Sequence, residues 1–210
     1  MSDTVDALVP FSPDRPKTRL SDTLDPEERR EFAGAMLTDV LAALRGAGLS
    51  PRLLATEATD RDVAETVDER PLTDAVNAAL AARDPSAASP VAVVVADLAL
   101  ATPRALGRLR APGDVAIAPG RGGGTNALFV RHPEFRVDYH GASYLDHLRA
   151  ARRVGASVRE VDSRRLATDV DERADLAEVL LAGEGAARDW LHDTGFRLDG
   201  GDGRVSVVRE

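Results

Sequence analysis

The run VAVVVAD at 91–97 limits the fold more than any other part of the chain. Its four valines and two alanines leave no position that welcomes water before the closing aspartate. β-Branched side chains favour extended backbone, and a strand apolar at every position has no face to turn outward. Such a strand belongs in the middle of a sheet covered on both sides, as parallel sheets with helices on each face are. The remaining sequence must then supply those helices and more strands.

It does so in alternation. Residues 4–10 predict a short buried strand, and a proline-rich loop follows through Asp25. Asp25 reads as an N-cap, with Pro26 in the first helical position and Glu28 three residues beyond the cap. Phe32, Met36, Leu37, Val40, Leu41 and Leu44 then recur at helical spacing until Gly46 and Gly48. Short strands are expected at 52–56 and 63–67, a helix from Pro71 through PLTDAVNAALAARD, and a connector at 84–90. A helix from Thr102 to Arg110 follows the apolar run, with Thr102 as its cap. Next come a strand at 114–119, the loop GRGGG, a strand at 125–132 and a helix at 143–156 capped by Ser143. The strand SVREV, helices at 172–182 and 186–193, and a small strand in GDGRVSVVRE complete the order. No repeat is visible, and the pattern predicts one α/β layered domain over 1–210, built on a largely parallel sheet.

Composition narrows the classes. Hydrophobic residues make up 43% of the 210, ample for a core, and there is no cysteine to form disulfides or thiolate metal sites. No apolar segment reaches membrane length, and acids precede the first apolar run, so a cytoplasmic protein without a membrane partner is expected. The net charge of −8 is spread along the chain and repels nucleic acid. Together with abundant Ala, Val and Arg it resembles a salt-adapted protein, an ordinary acidic enzyme being the alternative. Of the 27 basic residues a single one is lysine, Lys17. A compact ammonium suits a phosphate where a planar guanidinium is too wide; the alternative is that the last lysine had to sit somewhere.

In open α/β sheets the chemistry gathers beyond the carboxyl ends of the strands. That rule points to the loop after the first strand, to Asp97 and to the glycine loop. Asp97, at the rim of a dry strand, is placed to hold a divalent cation or to cap a turn. In LATDVDERADL, Asp169 and Asp171 share a face if extended, which suits Mg²⁺; the plainer reading makes Asp171 a helix cap. GRGGGTNAL is neither a phosphate-binding P-loop nor a dinucleotide fingerprint. Its glycines can turn N–H groups toward an anion, with Thr125 and Asn126 adding donors, or form a mobile hairpin. In YHGASYLDH the helix start attracts anions, and His140 and His147 are acid–base or ligand candidates set against ordinary surface histidines. No Ser-His-Asp or Cys-His arrangement implies a covalent nucleophile. The set fits a reaction between two phosphate-bearing molecules, whose mutual repulsion cations and aligned N–H groups reduce.

VPFSPDRPKTRL with LDPEERREFAGAMLTDVLAAL, ADLALATP, APGRGGGTNAL, GASYLDH and LATDVDERADL together resemble the CofC family, 2-phospho-L-lactate guanylyltransferases of coenzyme F420 biosynthesis. The resemblance implies a nucleotidyltransferase fold of GT-A type, a three-layer α/β/α sandwich with a mixed, largely parallel sheet. It implies transfer of GMP from GTP to 2-phospholactate with Mg²⁺ and release of pyrophosphate, in a homodimer. Residue by residue, it puts Lys17, Arg19 and Asp97 in the catalytic set, with Lys17 and Arg19 facing the triphosphate. Leu72 and Asp74, in the helix start at Leu72–Val76, would lie by the base. Thr125, Asn126, His140 and Ser143 would hold the phospho-acid, and Asp97, Asp169 and Asp171 the metal. Three departures stand out: Ala99 where proline is frequent, Phe11–Ser12 for an apolar–Lys pair, and His140 for a glycine. Phosphoenolpyruvate or 3-phosphoglycerate as acceptor is an alternative, as is a nucleotide-binding protein of this fold without turnover.

Overall fold

A computed structural model describes residues 4–14, 16–201, 203 and 205–210. Nine strands and seven helices are present among them: β1 (Val5–Phe11), α1 (Pro26–Gly46), β2 (Leu49–Ala55), β3 (Ala64–Val67), α2 (Leu72–Arg83), β4 (Val91–Val94), α3 (Pro103–Gly107), β5 (Val115–Pro119), β6 (Thr125–Val130), α4 (Ser143–Arg153), β7 (Val158–Glu160), α5 (Arg164–Ala167), α6 (Arg173–Ala182), α7 (Ala186–Asp193), β8 (Phe196–Asp199) and β9 (Ser206–Arg209). Seven strands form one sheet in the order β3-β2-β1-β4-β6-β5-β7. Every neighbouring pair is parallel except the two that involve β6, which therefore runs alone against the rest. The five-residue glycine loop explains the reversal, because a parallel crossover needs a dozen residues or more.

The apolar run lies at the centre, as expected. Ala92 and Val94 pack with Leu37, Val40 and Leu41 of α1, while Val91 and Val93 pack with Val76 and Leu80 of α2. Alternation in β1 and β6 sorts the same way: Ala7, Val9 and Phe129 face α1, while Leu8 and Leu128 face α2 and α4. A third cluster joins Phe32 and Met36 of α1 to Leu176 and Leu180 of α6 and Leu191 of α7. The result is a three-layer α/β/α sandwich.

The start of α1 follows its sequence signals. Asp25 accepts from the N–H groups of Glu27 and Glu28, and Glu28 accepts from Asp25 N at 3.0 Å, closing a capping box. Beyond its end the chain turns through Gly48 at φ +69°, and Gly46 packs closely, since a Cβ there would lie 2.7 Å from Pro103 Cγ.

Several expectations need correction. β4 stops at Val94, so Asp97 stands in the turn beyond the strand rather than at its last position. The helix from Thr102 is α only over Pro103–Gly107 and tightens to 3-10 over Arg108–Arg110. Asp169 and Asp171 lie in a loop, not on a strand, and the short helix α5 precedes them. Ser143 is the first residue inside α4, and its hydroxyl accepts from Thr125 N at 3.0 Å instead of capping. The strand β8, unforeseen, pairs antiparallel with the expected terminal strand as a separate hairpin.

Candidate active site

The carboxyl edge of the sheet carries a cleft of about 330 Å³ above β1, β2 and β4. Phe11, Met36, Leu54, Leu72 and Ala75 give it apolar walls, and Lys17, Asp97, Asp68 and Arg70 its charges. Asp68 and Arg70 pair with each other at 2.5 Å. Leu72 lines this cleft with 43% of its surface exposed. Asp74 stands in the first turn of α2, away from the lining.

Lys17 is at the mouth. Its backbone is left-handed, φ 53° and ψ 45°, a conformation that costs a non-glycine residue about 1 kcal/mol. The 3-10 turn Thr18–Leu20 follows, and buried Leu20 anchors it in the third cluster. Anchored so, the side chain runs inward with 10% exposure, and Nζ donates to Asp97 Oδ2 at 2.5 Å and Asp171 Oδ1 at 2.8 Å. Burial works to lower the ammonium's pKa, but Asp97 and Asp171 more than offset it, so Lys17 stays charged. Arg19 is 69% exposed and reaches Asp171 Oδ2 at 3.4 Å.

The carboxylates meet through the backbone. Val170 N donates to Asp97 O at 3.2 Å, and Val170 is fully buried, so Asp169 and Asp171 flank a residue pinned against Asp97. Asn126 Nδ2 ties Asp169 Oδ1 at 3.1 Å and Leu166 O at 2.9 Å. Burial pushes the Asp97 carboxyl's pKa up; Lys17 pulls it down, and Asp171 and Asp169 push it further up. One oxygen of this group, Oδ1, is buried with no hydrogen-bond partner among the described residues. Among those residues, no three acidic or imidazole side chains already stand in liganding geometry about one point; the Lys17 ammonium sits between two of them.

The glycine loop is more self-contained than its composition suggests. The N–H groups of Gly120, Arg121 and Gly123 donate to Gly124 O, Ala167 O and Gly120 O, so only part of the loop is free to face an anion. Gly123 has φ +83°, a conformation side chains resist. Arg121 also pairs with Asp175 at 2.5 Å, and Asp175 accepts from the N–H groups of Asp171 and Glu172. Sequence reasoning missed Arg121 and took Asp175 only as a helix residue; its place three residues after Glu172 was the available signal.

Because β6 runs backwards, its first residues lie at the same edge as Asp97: Val95 N donates to Asn126 O at 3.0 Å. Thr125 and Ser143 are both 4% exposed and touch through Thr125 N. His147, fully buried, meets Thr125 Oγ1 through Nδ1 at 2.8 Å. His140 is on the surface, its Nδ1 2.5 Å from Asp138 Oδ1, a contact that raises its pKa.

Residues 5–210 match the family described as Guanylyl transferase CofC like. The chain belongs to that family. A 2-phospho-L-lactate guanylyltransferase from Halomicrobium mukohataei is 62% identical over 203 residues, which cover 96% of this chain and 98% of that one. Its counterpart from Haloferax volcanii is 59% identical, with 97% and 98% covered, and that from Methanoregula boonei 49%, with 97% and 94%. Among solved structures, a putative nucleotide-diphospho-sugar transferase from Desulfovibrio desulfuricans G20 superposes with a TM-score of 0.74 at 17% identity, covering 92% of this chain and 96% of that one. A Methanothermobacter nucleotidyl transferase gives 0.63 at 15%, covering 91% and 100%. Those likenesses establish a nucleotidyltransferase fold, and membership in the CofC-like family makes the chain a nucleotidyltransferase.

In this CofC-like chain no described helix is long and apolar enough to cross a membrane. Its buried histidine has a measurable signature. Burial lowers the His147 pKa to about 4, against small opposing effects of Asp138 and Asp146. Between the unfolded value near 6.5 and about 4, the unfolded chain binds a proton that the folded one refuses. His147 therefore contributes stability fully above pH 6.5, and that contribution is lost as the pH falls toward 4. The loss amounts to at most about 3 kcal/mol. Thermal midpoints in high salt should fall over that window, and His147→Asn should flatten the slope; an unchanged slope would place the titration elsewhere.

Proposed function

We propose that this protein transfers GMP from GTP to 2-phospholactate, giving lactyl-2-diphospho-5′-guanosine and pyrophosphate, as a single domain in the cytoplasm and as a homodimer. The observation that carries the reading is the buried Lys17 between Asp97 and Asp171 at the mouth of a base-sized apolar cleft. Relatives named for that reaction, 49–62% identical over nearly the whole chain, support the acceptor.

The cleft takes the guanine against Leu72 and Phe11 and leaves the triphosphate at Lys17 and Arg19. An anionic phosphate oxygen of the acceptor attacks the α-phosphorus in line. The bond between that phosphorus and the bridging oxygen to the β-phosphate breaks, and pyrophosphate leaves with its electron pair. Because the attacking oxygen is already ionised, no general base is required. The work is orientation and neutralisation of charge.

Two carboxylates bridged by one buried ammonium, a third held beside them by Asn126, and an orphaned Asp97 oxygen fit a divalent cation. Asp97, Asp169 and Asp171 are the residues that would hold it, and Mg²⁺ suits a site of few carboxylates completed by phosphates and water. When bound, it supplies positive charge to the phosphates. Thr125, Asn126 and Ser143 hold the acceptor, with His140 at its outer margin.

The test is a matrix of four nucleoside triphosphates against 2-phospholactate, phosphoenolpyruvate and 3-phosphoglycerate in high salt, scored by pyrophosphate. The highest kcat/KM is expected for GTP with 2-phospholactate. Preference for another acceptor would correct the substrate, and no release with any pair would leave a binding protein.

A further inference from the structure

His147 takes no part in the transfer just described, yet it lies fully buried beside the acceptor segment. The N–H of Asp138 donates to its Nε2 at 2.9 Å, so that nitrogen presents a lone pair. A neutral imidazole then carries its one proton on Nδ1, and Nδ1–H donates to Thr125 Oγ1 at 2.8 Å. Tyr139, edge-on with centroids 5.1 Å apart, and Phe135 at 6.1 Å hold the ring in this orientation.

The Thr125 hydroxyl thus accepts from His147, and its own hydrogen has no acceptor among the described residues. Ser143 is in the same condition: its oxygen accepts from Thr125 N, and its hydrogen finds no described acceptor. Buried donors left unpaired are costly, and two on adjacent residues of one site call for an electron-rich atom.

We propose that His147 is a positioning residue for the acceptor: its Nδ1–H fills one lone pair of the Thr125 hydroxyl and leaves that hydroxyl's hydrogen to donate, which with Ser143 favours a ligand that places an anionic oxygen there. The inference rests on the acceptor reading of Thr125 and Ser143 above. A phosphate and a carboxylate oxygen share the required chemistry.

Steady-state kinetics in high salt compare the parent with His147→Gln and His147→Asn. Gln keeps an oxygen for the Asp138 N–H but lacks the donor to Thr125. The acceptor KM should rise about tenfold or more while the GTP KM stays within about twofold. Asn restores an N–H near the lost Nδ1 and should recover most of the loss. The carboxamide analogue of 2-phospholactate separates the two oxygen sources. If the carboxylate is held, the parent discriminates against the amide and the Gln variant does not. If the phosphate is held, both ligands lose equally. An unchanged acceptor KM in the Gln variant, or equal rises for both substrates, overturns the inference while the parent's turnover upholds the transfer reading. Nitrogen NMR of the ring is independent of turnover: a protonated Nδ1 with bare Nε2 is expected, and the opposite tautomer overturns it even in a protein that transfers nothing.

Discussion

Asp97→Asn is expected to cut kcat by about a thousandfold or more and at the same time to raise the thermal midpoint. The first effect follows from position. Asp97 carries the buried orphan oxygen, receives the lone lysine and is pinned to Val170 between the other two carboxylates. An amide of the same shape keeps the packing and gives up the charge that would hold a cation. The second effect follows from the direction of the pKa. Burial, with Asp171 and Asp169 adding to it, pushes the carboxyl up, so at neutral pH the ionised group is less at home in the folded protein than in the unfolded chain. Removing that charge relieves the folded state, while Lys17 keeps Asp171 as partner. Stability gained where activity is lost is the expected trade at a charged site. Pyrophosphate release and a melting curve on one preparation check both halves; a variant that turns over normally removes Asp97 from the mechanism, and one that melts lower contradicts the electrostatic account.

Much of this architecture is legible in the sequence, and the rest depends on contacts that sequence does not display. The apolar run placed β4 because no alternative burial suits six apolar residues in a row. The cap of α1 was legible because Asp25, Pro26 and Glu28 act within one turn. The end of β4 lies three residues before the expected one, since Val95, Ala96 and Asp97 read as strand while the chain turns there to meet Val170. The Ser143 hydroxyl was assigned to its own helix, although Thr125, 18 residues away, claims it. β8 escaped notice because FRLD is only four residues long, too short for its strand-like alternation to stand out. Lys17 was singled out by scarcity, but its contact with two carboxylates came from the loop's left-handed turn. Local signals are carried by neighbours in the chain; the site is assembled by neighbours in the sheet.

The opposite pair of outcomes is expected at Lys17. Lys17→Met should abolish transfer and also destabilise the protein by about 3–5 kcal/mol, because the buried Asp97 then lacks the cation that offsets its burial. Lys17→Arg keeps the charge, yet should still lower kcat/KM by about a hundredfold or more. The ammonium fits between two oxygens 2.5 and 2.8 Å away with 10% of its side chain exposed. A planar guanidinium cannot converge on both without displacing the loop that Leu20 anchors. This chain writes every other basic residue as arginine, so a Lys17→Arg variant that worked as well would leave the surviving lysine without a chemical reason. Asp97→Asn combined with Lys17→Met should recover part of the lost stability, since two neighbours in one charge network do not act additively. Denaturant midpoints for the two single variants and the double variant measure that coupling, and simple additivity would mean that Lys17 and Asp97 do not depend on each other.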